Sequence, residues 1–153
     1  MISTSLPFNF STWKTISFAS TLYLSPILDL LLSRVPKKHH PEIRLGLQEA
    51  LVNAAKHGNK LDPCKTVEVK FCYRPREYSW IVCDQGEGFL LEATCPLDDL
   101  DLPRLEAENG RGICILNQIF DQVRWNNQGT QVQLCKQIHD LSLPSKLICL
   151  WFF

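Results

Sequence analysis

The reading turns on the stretch Leu47-Gln48-Glu49-Ala50-Leu51-Val52-Asn53-Ala54-Ala55-Lys56-His57-Gly58-Asn59. The spacing predicts a helix that starts at Pro41 and runs to about His57, where Gly58-Asn59 ends it with a left-handed cap. At about 100° per residue, Ile43, Leu47, Ala50, Leu51 and Ala54 share one sector, the expected core stripe. Leu45, Val52 and Ala55 form a second apolar sector. Between the two lies a narrow polar stripe of Glu42, Gly46, Glu49, Asn53, Lys56 and His57. A surface helix ordinarily shows one apolar stripe and a broad polar face. The squeezed polar face predicts a small cleft; an ordinary solvated edge is the alternative.

Glu49 and Asn53 stand at i and i+4, so their side chains stack on one face. The Asn53 amide offers a neutral oxygen, which suits a magnesium ion that keeps most of its waters and is balanced by phosphates. Lys56, a turn further on, can meet the same phosphates as a point charge. Glu49 is placed to accept a proton from an attacking hydroxyl or water. His57 reads as a cation near the helix C-terminus or a packed ring rather than a ligand.

Working outward, Trp13–Ala19 is expected to be a strand and Tyr23–Ser33 a helix, with Ser25 and Pro26 forming its cap and first turn. Thr66–Tyr73 alternates, with Val67, Val69, Phe71 and Tyr73 on one face and Glu68, Lys70 and Cys72 on the other. Arg74–Glu77 makes a turn, and Tyr78–Asp84 returns. Leu90–Glu108 has no period and reads as a long connection. Asn109-Gly110-Arg111-Gly112 is expected to open a helix, Ile113–Phe120, and a hairpin of Gln122–Trp125 with Thr130–Gln137 closes the domain. Local hairpin pairing predicts an α+β two-layer sandwich, with a largely antiparallel sheet and helices on one face. Residues 1–12 are a lead-in, 13–138 the domain and 139–153 an apolar tail.

Two further elements carry chemistry. Asp84 leaves its strand into Gln85-Gly86-Glu87-Gly88. Its carboxylate can accept a hydrogen bond from the amine of adenine and would meet the carbonyl of guanine lone pair to lone pair. Gly86 and Gly88 let the backbone approach a flat base; a plain turn is the alternative. Gly110 and Gly112 at a helix start would expose amides to an anion, and Arg111 could add a bidentate phosphate contact. The motif is neither a Walker loop nor the dinucleotide fingerprint.

Composition bounds the rest. The chain has 153 residues, 45% hydrophobic and 21% charged, the size of one folded domain. Sixteen basic and sixteen acidic residues balance, against a general nucleic-acid binder. Arg34, Lys37, Lys38, His39, His40 and Arg44 form a basic cluster; Asp98, Asp99, Asp101, Glu106 and Glu108 form an acidic one. Each reads as a solvated loop, with a docking surface as the alternative. The seven cysteines include no CxxC, so reduced thiols in a cytoplasm are expected. No export signal or membrane span is expected: Pro26 and Asp29 interrupt Leu22–Leu32, and Leu147–Phe153 is too short to cross a bilayer. That last run fits a buried strand, a partner contact or a membrane-surface tag.

The order of the motifs resembles the GHKL (Bergerat-fold) ATPase superfamily, shared by histidine kinases and gyrases. Leu47–Asn59 looks like its N box, and Asp84-Gln85-Gly86-Glu87-Gly88-Phe89 like its G1 box. Gly110-Arg111-Gly112-Ile113 through Phe120-Asp121-Gln122-Val123 resembles the G2 region, and Gly129-Thr130-Gln131-Val132-Gln133-Leu134 the closing strand. Within the superfamily the chain is most similar to the stand-alone bacterial anti-sigma factor serine/threonine kinases. The resemblance implies ATP and Mg2+, with Asn53 holding the metal and Glu49 as general base. It implies that Asp84 reads adenine with the help of Thr130, and that Gly86 and Gly88 line that site. Gly110, Arg111 and Gly112 would form a lid over the phosphates, within reach of Lys56. It further implies a sigma factor and an anti-sigma factor antagonist as protein partners, and a homodimer. The alternative is an ATP-gated protein-binding switch that transfers no phosphate.

Overall fold

A computed structural model describes residues 12–88 and 107–139, with only the backbone for 107–110. Residues 1–11, 89–106 and 140–153, which hold nearly all of the lead-in, the long connection, the tail and most of the acidic cluster, lie outside the described residues. The elements run β1 (Lys14–Ala19), α1 (Ser25–Leu32), α2 (His40–Val52) with a π-helical turn Asn53–Gly58, β2 (Thr66–Arg74), β3 (Glu77–Cys83), α3 (Ala107–Ile119), β4 (Gln122–Trp125) and β5 (Gln131–Gln137). The strands form one sheet in the order β1-β2-β3-β5-β4, and every neighbouring pair is antiparallel. The α+β sandwich expected from the local hairpins is the fold found.

Alternation decides which face is dry. Val69 and Phe71 of β2 pair in register with Val82 and Trp80 of β3, and these with Val132 and Leu134 of β5, while Val67 lies on the same face of β2. All of them are buried. Leu28, Leu31 and Leu32 of α1 and Ile43, Leu47, Ala50 and Leu51 of α2 cover that face. Each large apolar side chain buried this way contributes about 1.5–3 kcal/mol. Trp80, fully buried, meets Phe120 edge-on with ring centroids 5.9 Å apart. On the opposite face the expected polar side of β2 holds for Glu68 and Lys70, which pair at 3.3 Å, but Cys72 is buried, in register with Ser79 and through it Cys135.

Other expectations are corrected. Ser25 is the first helical residue rather than the cap, and its Oγ accepts from Arg44 instead. Leu45 is largely exposed, so the second apolar sector of α2 shrinks to Val52 and Ala55. Gly46 sits in the polar stripe for a packing reason. A Cβ there would fall 2.5 Å from the Phe120 ring, so the chain gives up about 1 kcal/mol of helix propensity to let the end of α3 press on α2. Cys64, Cys72, Cys83 and Cys135 keep their thiols, as expected, but Cys114 is disulfide-bonded. No short Cys spacing signalled that bond. Among the described residues no helix is long and apolar enough to cross a membrane.

Tyr73 ties the layers together, its hydroxyl donating to the Leu31 carbonyl at the end of α1. Burial pushes its pKa from 10.0 up to about 12. A raised pKa means that the folded state holds the proton more tightly, so this stabilisation is complete below pH 10.0 and is lost as pH rises through about 12. Tyr73→Phe should therefore cost about 1 kcal/mol at pH 7 in urea denaturation. The variant should also lose less stability than the parent between pH 10.0 and about 12. Equal alkaline slopes would contradict the assignment.

Candidate nucleotide site

The site is assembled where α2 ends. The helix carries Glu49 and Asn53 on one face, both half-buried, as the i, i+4 spacing requires. At Asn53 the α-helix gives way to the π-helical turn, an irregularity often found at functional sites. Within the turn Lys56 and His57 are exposed, while Ala54 and Ala55 are buried.

α3 lies across Glu49 and Asn53. A Cβ on Gly112 would stand 3.2 Å from Asn53 Nδ2 and 3.4 Å from Glu49 Oε2. The sequence-predicted Glu49, Asn53 and Gly112 are thus brought together, and a larger residue at 112 would press on the Asn53 amide. The helix itself begins at Ala107 rather than at Ile113, so Gly110, Arg111 and Gly112 lie inside it. Only the first four amides of a helix lack an internal partner. Those of Arg111 and Gly112 are therefore spent on the helix, which corrects the expected cradle of glycine amides. The Arg111 side chain is exposed. α2 and α3 meet here because Gly46 and Gly112 both yield space.

The second cluster surrounds Asp84, one residue beyond β3. Its amide donates to the Thr130 carbonyl at 3.0 Å, continuing the β3–β5 ladder. Its Oδ1 accepts the Gly86 N–H at 2.8 Å, and Oδ2 accepts nothing from the described residues. Burial pushes the carboxyl above its ordinary pKa, offset in part by the Gly86 amide and the charge of Lys65. The charged form is thus under-solvated at neutral pH, with one oxygen still able to accept. A hydrogen-bond donor arriving at Oδ2 would be well received.

Gly58 is the residue that the sequence misassigned. It is not left-handed; the positive φ values fall on Lys60 (54°) and Leu61 (55°). Gly58 is small because a Cβ there would sit 2.4 Å from Asp84 Cγ and 2.6 Å from each carboxylate oxygen. Gly86 is small for the reciprocal reason, a Cβ falling 2.1 Å from the Gly58 carbonyl oxygen. The loop then turns at Gly88 (φ 79°), where a Cβ would overlap the Gln128 carbonyl, and docks beside Thr130 Cγ2. Thr130 is held by Asn126, whose Oδ1 accepts its N–H at 3.0 Å and whose Nδ2 donates to its Oγ1 at 3.1 Å. Asp84, Gly86, Gly88 and Thr130 therefore form one continuous wall.

The Asp84 carboxylate at one end, and the Glu49 carboxylate and Asn53 amide beside α3 at the other, are thus carried on one α+β sandwich. The chain belongs to the histidine kinase-like ATPase domain family, whose sequence profile matches residues 28–136. It is on that account an ATP-binding domain of the GHKL type. No curated protein matches the chain.

The interlock at Asp84 gives a stability test. Gly58→Ala should destabilise by about 1–3 kcal/mol in urea denaturation. In the Asp84→Ala background the same change should cost little, because the clashing Cγ and oxygens are gone. A double-mutant coupling under about 0.5 kcal/mol would refute the contact.

Proposed function

We propose that this domain is an ATP- and magnesium-dependent serine/threonine kinase of the anti-sigma type, which phosphorylates a serine of an antagonist protein and sequesters a sigma factor. The observation that carries the reading is the pairing of the Glu49 carboxylate with the Asn53 amide on one helical face, directly beneath Gly112 of α3.

The donor set fits magnesium as a guest shared with phosphate. Among the described residues no group of three or more His, Cys, Asp or Glu could cage a metal. A hard ion that keeps several waters needs only the neutral Asn53 oxygen, with charge balance from phosphates. Bound there, it would neutralise charge developing on the transferred phosphoryl group. Glu49 accepts the proton of the acceptor serine hydroxyl. The serine oxygen bonds to the terminal phosphorus of ATP as the bond to the bridging oxygen breaks, and ADP leaves. Arg111 and Lys56 contact the phosphates, and the helix holding Gly110 and Gly112 acts as the lid. Asp84 accepts from the adenine amine, supported by Thr130, while Gly86 and Gly88 give the base room.

Mg-ATP at about 100 times its dissociation constant should stabilise the protein by about 2.7 kcal/mol, read as a rise in melting temperature, and Mg-GTP far less. No shift with ATP would remove the nucleotide reading. Glu49→Gln should slow phosphate transfer to the antagonist by about 10²–10⁴-fold with ATP affinity kept. If the parent captures its partner in ATP-dependent fashion yet transfers no phosphate, the domain is a nucleotide-gated switch instead of a kinase.

A further inference from the structure

Asn59 has no part in the chemistry just described, and its side chain is fully buried. Every arm of its amide is used. Oδ1 accepts the Gln85 N–H at 2.7 Å, and Nδ2 donates to Ser20 Oγ at 2.8 Å and to the Thr66 carbonyl at 2.9 Å. Its own N–H donates to the Ala54 carbonyl at 2.8 Å, closing the π-helical turn. Gln85 returns the grip, its Oε1 accepting the Thr66 N–H at 2.7 Å. One side chain thus bolts the end of β1, the start of β2 and the loop after Asp84 to the same point.

A second observation bears on the same residue. Lys60 and Leu61, which come directly after it, are both left-handed, at φ 54° and 55°. Non-glycine residues in that region are strained, and such strain persists where surrounding bonds over-determine it and clusters at ligand sites. Here the overdetermination is visible. Besides the Asn59 bonds, the Leu61 N–H donates to Ala55 at 2.8 Å and the Asp62 N–H to Asn59 at 3.0 Å. The chain holds an awkward turn so that Asn59 points inward.

We infer that Asn59 is a positioning residue that sets base selectivity, by fixing the Gln85 backbone and with it the orientation of the neighbouring Asp84 carboxylate. This rests on the reading of Asp84 as the adenine acceptor. Selectivity against guanine needs a carboxylate that cannot turn away from the incoming carbonyl. Between Gly58 on one side and the Gly86 N–H on the other, Asp84 is confined only as long as residues 85 and 86 stay put. Asn59 is what keeps residue 85 in place.

The experiment is calorimetric titration of the full chain with Mg-ATP and Mg-GTP, comparing the ratio of the two dissociation constants. Asn59→Ala should reduce that ratio about tenfold, the scale of one lost buried hydrogen-bond partner. If that variant does not fold, Gln85→Ala tests the same clamp from its solvent side and should lower the ratio several-fold. Tyr73→Phe, destabilised at a distance from the loop, should leave the ratio unchanged. A parent that prefers ATP, with Asn59→Ala or Gln85→Ala keeping the ratio within twofold, overturns the positioning role and leaves the nucleotide site intact. A parent that binds neither nucleotide overturns both.

Discussion

The contact on which the site depends is a steric one: at the junction of the π-helical turn with the tip of β3, Gly58 and Gly86 leave no room for a Cβ between them and the Asp84 carboxylate. The carboxylate is thereby wedged into a half-dry place. Burial there raises its pKa, so the placement disfavours the charged form. The cost is tolerated because the wedge is built from elements that are stable for other reasons. β2, β3 and β5 are zipped by Val69, Val82 and Val132 in register, and the loop leaves β3 only after that register is complete. Pre-orientation therefore comes from the sheet, and the polar network around Asn59 transmits it to the loop.

The two halves of the site stand on different frames. Glu49 and Asn53 ride on α2, which is fixed by Ile43, Leu47 and Leu51 in the core, whereas Asp84 rides on the sheet. The π-helical turn is the hinge between them and spans residues 53–58, from one half to the other. A ligand touching both halves would have its length set by a turn whose backbone is locked through Asn59 to Ala54.

The sequence was most legible where structure is local. The β2–β3 hairpin, with its Arg74–Glu77 turn, could be read from alternation and turn chemistry, and the Glu49–Asn53 pair from helical spacing. It failed where meaning is made by residues distant along the chain. The α-helical period holds to Val52, and the π-helical turn Asn53–Gly58 that follows has no signature in the apolar spacing. Gly58 looked like a cap because helices commonly end in glycine, while its reason lies in Asp84, far along the chain. Gly46 looked polar by position and proved to be a seat for Phe120. The start of α3 was read too late because two glycines usually mark a boundary. Here Gly112 is tolerated inside the helix because its bareness lets α3 reach α2.

That last contact also bears on how the site would be regulated. Glu49 and Asn53 are half-buried and lie beside Gly112 of α3, where a Cβ would stand 3.2 Å from Asn53 Nδ2 and 3.4 Å from Glu49 Oε2. α3 cannot slide along α2 or lift from it without changing the surroundings of Glu49 and Asn53 directly. The same helix carries the exposed Arg111 one residue before Gly112, so a charge that draws Arg111 also draws Gly112. On the proposed reading, phosphate recognition by Arg111 and the environment of Glu49 would be one mechanical event instead of two coupled at a distance. For a phosphate-transferring enzyme this would time the base to the presence of nucleotide; for a switch, the same linkage would signal occupancy to whatever partner contacts α3.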